Sequence, residues 1–294
     1  MMREDVLSEL PSVARLIAQG FVTGIGRPGA QAGLPPRAVV LPSLAQDVDR
    51  LAAYDHLCGF PLRDRVPPTW LHVLTFPLQA HVIAARDFPF PLAGLVHVTN
   101  DMTLHRPVTV ADRLRLRCHA ENLAPHRKGV TFDMVGEIRV GDEVVWTGVS
   151  NYLAPGATMP GTIDSAPRLE APAVAPSARW RLPADLGRRY AAVSGDCNPL
   201  HLWPATARLF GFRRPIIHGM WTHGRALAAL EPRLGDTYRV RVRFTKPILL
   251  PATVEFGAGT GPRPSFAVTL EGGGPVLAGE VSDARRPDGE TTTQ

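Results

Sequence analysis

Polar and apolar positions alternate most clearly where Tyr238, Val240, Val242 and Phe244 interleave with Arg239, Arg241 and Arg243. A period of two puts each set on its own face, so the segment predicts a strand with one apolar and one cationic side. Leu114, Leu116 and Cys118 interleave with Arg113, Arg115 and Arg117 in the same way. Further strands fit Val130 to Ile138, Glu143 to Leu153, Thr253 to Ala258, Ser265 to Leu270 and Val276 to Val281. Between Gly219 and Leu230 the period changes: Met220, Gly224, Leu227 and Ala228 fall at helical spacing around His223. So few positions there are polar that the helix is expected to be buried on all sides.

The pattern lapses over residues 155–179, which are dense in Pro, Ala, Gly and Ser and read as a linker. It parts residues 1–154 from residues 180–283, and residues 284–294 read as a polar, disordered tail. The two parts repeat one another. Each opens on a Tyr followed by a Gly turn, Tyr54 to Phe60 and Tyr190 to Asp196, then an apolar helix, then strands. Arg106-Pro107-Val108 and Lys246-Pro247-Ile248 each fall between two strands. One buried helix followed by antiparallel strands, twice over, predicts an α+β protein in which each sheet wraps its own helix.

Composition narrows the class. With 294 residues, 45% hydrophobic and 20% charged, the chain is long enough for two cores and is not disordered. No apolar run reaches the length of a membrane span. Val13 to Ile25 is apolar, but Glu4 and Asp5 precede it and Arg15 interrupts it, which fits an amphipathic or loosely docked segment better than a signal peptide. The odd cysteine count (Cys58, Cys118, Cys197), without CxxC spacing, argues against a disulfide framework or zinc and for a reducing cytoplasm. The net charge of +5 is spread along the chain with no basic run, so nucleic-acid binding is not expected. The arginine faces read first as solvated strand surface.

Chemistry concentrates between Tyr190 and Gly219. Asp196 and His201 flank Cys197-Asn198-Pro199-Leu200, a loop whose turn formers bend both side chains toward one point. A carboxylate and an imidazole together can hold a water and move protons either way. Asp196 alone would equally suit an Asx turn. Ile216-Ile217-His218-Gly219 opens the buried helix, whose first amides lack internal partners and sit at its positive end. The Gly219 N–H is thus suited to stabilise an enolate-like oxygen.

The run Tyr-x-x-x-Ser-Gly-Asp-x-Asn-Pro-Leu-His from Tyr190 to His201, then Ala207, Gly211-Phe212 and Ile217-His218-Gly219-Met220, resembles the hydratase 2 motif of the MaoC-like enoyl-CoA hydratases and 3-hydroxyacyl-thioester dehydratases. The resemblance continues through Val240 to Val254. More loosely it takes in TFP, DFPFPLAG and ENLAPHRKG of the first half, as in the long two-domain actinobacterial enzymes. It implies a double hotdog, two helix-in-sheet units packed as a pseudodimer, acting on an acyl thioester of CoA or acyl carrier protein. It also implies Asp196 and His201 as the catalytic pair, Gly219 as the oxyanion-hole donor, Asn198 as the residue that orients the loop, and Ser194 and His218 as residues that shape it. No metal or redox cofactor is required, and the pseudodimer could pair again as a homodimer.

The first half departs from the motif. Phe60 follows Cys58-Gly59 where Asp196 follows Ser194-Gly195, Arg65 lies five further on where His201 would be, and Phe76-Pro77 is expected near the helix start. One active site per chain follows, with the first half kept to cover the acyl tail. His56, His72, His81, His97, His105, His119 and His126 take a structural reading, as does Asp55 beside His56; Cys197 reads as a spacer. Trp203 and Trp221 are expected to narrow the pocket, as for a branched or hydroxylated dicarboxylic substrate. Thioester hydrolysis, or an acyl-binding subunit without catalysis, are the competing functions.

Overall fold

The computed structural model describes residues 2–23, 26–163 and 168–284. The predicted tail, apart from Ala284, lies outside the described residues.

The first half runs β1 (Arg3–Val6), α1 (Val13–Thr23), β2 (Arg37–Leu44), α2 (Val48–Cys58), α3 (Pro68–Ala84), β3 (Val96–Leu104), β4 (Leu114–His126), β5 (Gly129–Val140) and β6 (Glu143–Pro155). The second runs β7 (Ala178–Leu182), α4 (Leu186–Ser194), α5 (Pro204–Leu209), α6 (Gly219–Leu230), β8 (Tyr238–Phe244), β9 (Ala252–Ala258), β10 (Ser265–Leu270) and β11 (Pro275–Ser282). Among the described residues these strands form one sheet in the order β1-β2-β4-β5-β6-β3-β8-β11-β10-β9-β7. Setting β1 aside, each half contributes five strands in one shared order, β2-β4-β5-β6-β3 matching β7-β9-β10-β11-β8. The two sheets the sequence predicts are joined edge to edge, with β3 antiparallel to β8 and Asn100 opposite Val242. The join leaves neither central edge unpaired.

Burial explains the strands. On β4 the side chains of Leu114, Leu116, Cys118 and Ala120 are buried, and on β8 those of Tyr238, Val240 and Val242. The arginines between them face outward and pair across strands, Arg239 with Asp101 and Arg241 with Glu280. Helix α3 is apolar nearly all round, burying Trp70, Leu71, Val73, Leu74, Leu78, Val82 and Ile83, and it lies against β2 to β6. Helix α1 docks Val13 and Leu16 on Ala80 of α3.

The central helix of the first half begins at Pro68, and Pro77 stands inside it, so Phe76-Pro77 does not mark the helix start. Packing on both sides holds the helix through a residue that removes one backbone donor. Pro68 itself occupies the first helical position, where a missing N–H costs little.

Candidate active site

Helix α4 ends at Gly195, whose φ of 79° is the left-handed conformation that glycine adopts freely. The chain there reverses into the loop carrying Asp196. Local bonds fix that loop: the Asp196 N–H donates to Ser194 Oγ (3.1 Å), the Asn198 N–H to Asp196 Oδ1 (3.2 Å) and the Leu200 N–H to Asn198 Oδ1 (3.5 Å). Asp196 thus adopts the Asx turn and faces the cavity as well. A short turn, Pro199–His201, then presents the His201 ring.

His201 Nδ1 lies 2.8 Å from the Ile216 carbonyl, and His218 Nε2 lies 2.9 Å from the Asp196 main-chain carbonyl. Each carbonyl only accepts, so both ring nitrogens donate. The two rings stack with centroids 3.6 Å apart. Burial pushes His201 down to about 3 and His218 to about 4, so both are uncharged near neutrality. With Nδ1 protonated, His201 carries its lone pair on Nε2. Burial raises the Asp196 carboxyl above its ordinary range, against the opposing pull of His201 and the Asn198 N–H.

One ligand-type atom from each of Asp196, His201 and His218 lies within 4.8 Å of the others. That spacing suits one water molecule bridging two groups at ordinary hydrogen-bond lengths. It suits a metal less well, because stacked imidazoles aim their in-plane lone pairs side by side instead of at one point.

Gly219 is the first residue of α6, with His218 before it offering no side-chain cap, so its N–H has no helical acceptor. A Cβ at this position would lie 2.9 Å from the Phe244 ring, and only glycine fits without displacing it.

Ser194, Asp196, Asn198, His201, His218 and Gly219 all line one cavity of about 510 Å³. The first half supplies much of the rest, including Val73, Phe76, Ile83, Leu92 and Leu95. His72 and His97, read from sequence as structural, line it too. The first of these falls in a repeated step, Trp70-Leu71-His72 and Trp221-Thr222-His223, but His223 does not line the cavity, so the repeat gives no signal of it. Trp203 and Trp221 do not line the cavity. Trp221 Nε1 donates to the Leu57 carbonyl (3.2 Å), and Trp203 lies under the Arg188 guanidinium.

Backbone register places the first half against this site. Val66 N–H to Val108 O (2.8 Å) and Val110 N–H to Asp64 O (2.9 Å) repeat Ile217 N–H to Ile248 O (3.0 Å) and Leu250 N–H to Pro215 O (2.8 Å). The bridges Arg65↔Thr109 and Ile216↔Leu249 repeat likewise. Arg65 is therefore the counterpart of Ile216 and not of His201, and Pro67-Pro68 the counterpart of His218-Gly219. A second pocket of about 300 Å³ lies at this equivalent place, lined by Phe60, Pro67, Pro68 and Pro107.

Residues 164–260 match the family model of the MaoC like domain. The chain is 40% identical over 221 residues to 3-hydroxyacyl-thioester dehydratase X of Mycobacterium tuberculosis, covering 75% of this chain and 79% of that protein. The crystal structure of HtdX of Mycobacterium tuberculosis superposes with a TM-score of 0.75 at 36% identity, covering 84% of this chain and 100% of that one. A MaoC-like dehydratase from Phytophthora Capsici shares the fold at a TM-score of 0.70 and 20% identity, covering 86% of this chain and 97% of that one.

Proposed function

The chain belongs to the MaoC-like dehydratase family, and from that premise we propose that it is a hydro-lyase adding water reversibly across the 2,3 double bond of an enoyl thioester, with a (3R)-hydroxyacyl thioester as product. The acyl group arrives on CoA or on acyl carrier protein. The observation that carries the reading is the convergence of Asp196, His201 and the helix-start amide of Gly219 on one cavity.

In the dehydration direction His201 Nε2 takes the C2 proton, since Nδ1 is committed to the Ile216 carbonyl. Asp196, whose burial favours its protonated form, gives its proton to the departing C3 hydroxyl. The Gly219 N–H receives the thioester oxygen as negative charge builds there, at the positive end of α6. Water leaves from between the two side chains, and the proton on His201 returns to Asp196. Hydration is the same path reversed. Asn198 and Ser194 hold the Asp196 loop, and His218 ties it to α6. The first half serves as the cover of the acyl tail, a role supported by the apolar side chains it adds to the cavity.

Loss of enoyl absorbance on mixing the protein with crotonyl-CoA and longer homologues tests this directly. Hydration without thiol release supports the proposal. Thiol release without hydration would make the protein a thioesterase instead.

A further inference from the structure

Helix α3 contributes His72, Val73, Phe76 and Ile83 to the cavity, and Ile17, Leu92 and Leu95 join its later turns in making an apolar lining. Around His72 the lining is different. His97 comes in from the start of β3 and Thr222 from α6, and the rings of His72 and His97 stack at 6.0 Å. His97 also lies 5.0 Å from Phe244, the ring packed over Gly219, so this polar belt sits close to the reacting end.

The belt has unmet hydrogen-bonding capacity. His72 is 3% exposed and Thr222 2%, and among the described residues His72 Nδ1, His97 Nε2 and Thr222 Oγ1 are buried with no hydrogen-bond partner. Burial keeps both imidazoles uncharged; the Thr99 main chain already engages His97, which leaves its Nε2 as an acceptor, while His72 offers one donor and one acceptor. Buried polar groups in native proteins are nearly always paired, and those lining a binding cavity are left for the ligand to pair. A plain hydrocarbon chain would leave all three unmet. The belt is neutral, which matches a neutral oxygen function better than a carboxylate or an amine.

Resting on the acyl-thioester reading above, we propose that the preferred acyl chain is oxygenated, carrying a hydroxyl or keto group beyond the reacting bond that His72, His97 and Thr222 read. The same groups could instead meet an amide of the pantetheine arm, which every substrate shares, and the experiment separates the two.

Hydration is measured for pairs of enoyl-CoA esters of equal length, one plain and one bearing a keto or hydroxyl group at successive mid-chain positions. The wild type should favour the oxygenated member at one position by about tenfold or more in kcat/KM. His72→Leu and Thr222→Val should bring that ratio toward unity. Thr222→Val removes one hydroxyl while keeping the side chain's shape, so the comparison survives if His72→Leu fails to fold. A wild-type preference for plain chains at every position overturns the inference, as does an equal loss on both members in the variants, the signature of pantetheine contacts. Thermal stabilisation by the matching saturated thioesters gives a readout without turnover. A greater shift with the oxygenated ester supports the inference even if no ester is hydrated, a result that would overturn the catalytic proposal alone.

Discussion

Gly59 and Gly195 end equivalent helices with the same left-handed turn, at φ of 82° and 79°, yet the chain that follows each turn is built differently. In the second half Ile216 lies twenty positions after Asp196, and the stretch between them holds His201 and α5. In the first half Arg65 lies only five positions after Phe60. The whole overhang that bears His201 has no counterpart there. Phe60, buried, stands where Asp196 stands, and Pro68, without an N–H, where Gly219 stands. The strand order is common to both halves, so the scaffold does not depend on the site. What separates the halves is one inserted loop and one helix start.

The sharpest way to break this comparison is to remove the paired groups on one side and their positional counterparts on the other. Asp196→Asn keeps an acceptor for the Asn198 N–H, and His201→Ala removes a cavity-facing ring, so neither should shift the thermal midpoint far. Each should lower enoyl-CoA hydration by about 10²- to 10⁴-fold. Arg65→Ala should leave it unchanged. Hydration that survives both second-half changes would refute the assignment.

Gly219 offers the next largest effect. Gly219→Ala would drive a methyl group against Phe244 and displace the amide, with an expected loss of about 10²- to 10³-fold in kcat. Pro68→Ala restores an N–H at the equivalent helix start but finds no Asp and His facing it, so it should create no second activity. Hydration by Pro68→Ala combined with Asp196→Asn, where only a second site could act, reads the difference.

Most of this contrast could be read from the sequence, but not all of it. The alternation of β4 and β8 and the largely apolar α6 are local signals, and the motif from Tyr190 to Gly219 is contiguous enough to show which residues meet. In strand β3 the alternation of Val96, Val98, Met102 and Leu104 with His97, Thr99, Asp101 and Thr103 is interrupted at Asn100, which is buried and bonded to Ser150. The start of α3 was obscured by Pro77, which reads as a boundary until the surrounding packing is known. The matching of Arg65 with His201 came from equal residue counts, whereas backbone hydrogen bonds set the true register. The stacking of His201 on His218, and the approach of His72 and His97 to the cavity, depend on long-range packing that no local spacing encodes.

Register also makes His72 and His223 equivalent, one in each central helix, and pH offers a way to sharpen what they share. Burial pushes His72 down to about 4 and His223 to about 3. An unfolded chain protonates its histidines near pH ~6.5, so between there and the lower values it binds more protons than the native state. Stability is therefore fully present above about pH 6.5 and is lost as pH falls through that window. His72→Leu and His223→Leu should each move the acid unfolding midpoint, followed by circular dichroism, to lower pH. Only His72 lines the cavity, so only His72→Leu should change substrate preference. If His223→Leu changed it as much, the two halves would share the tail site more evenly than the cavity lining implies.

The smallest effect belongs to the pocket of the first half. Arg63 pairs with Glu231 and Arg65 with Asp236 among the residues that line it, joining the two halves. The side chains of Arg63 and Arg65 are 49% and 53% exposed, and pairs this open contribute at most about 1 kcal/mol, less in salt. Arg63→Ala should therefore lower the thermal midpoint by a few degrees at most, with the difference shrinking as ionic strength rises, and hydration should hold at the wild-type rate. A loss of turnover approaching that of Asp196→Asn would mean that the first-half pocket takes part in the reaction, and the division between a scaffold half and a chemical half would have to be abandoned.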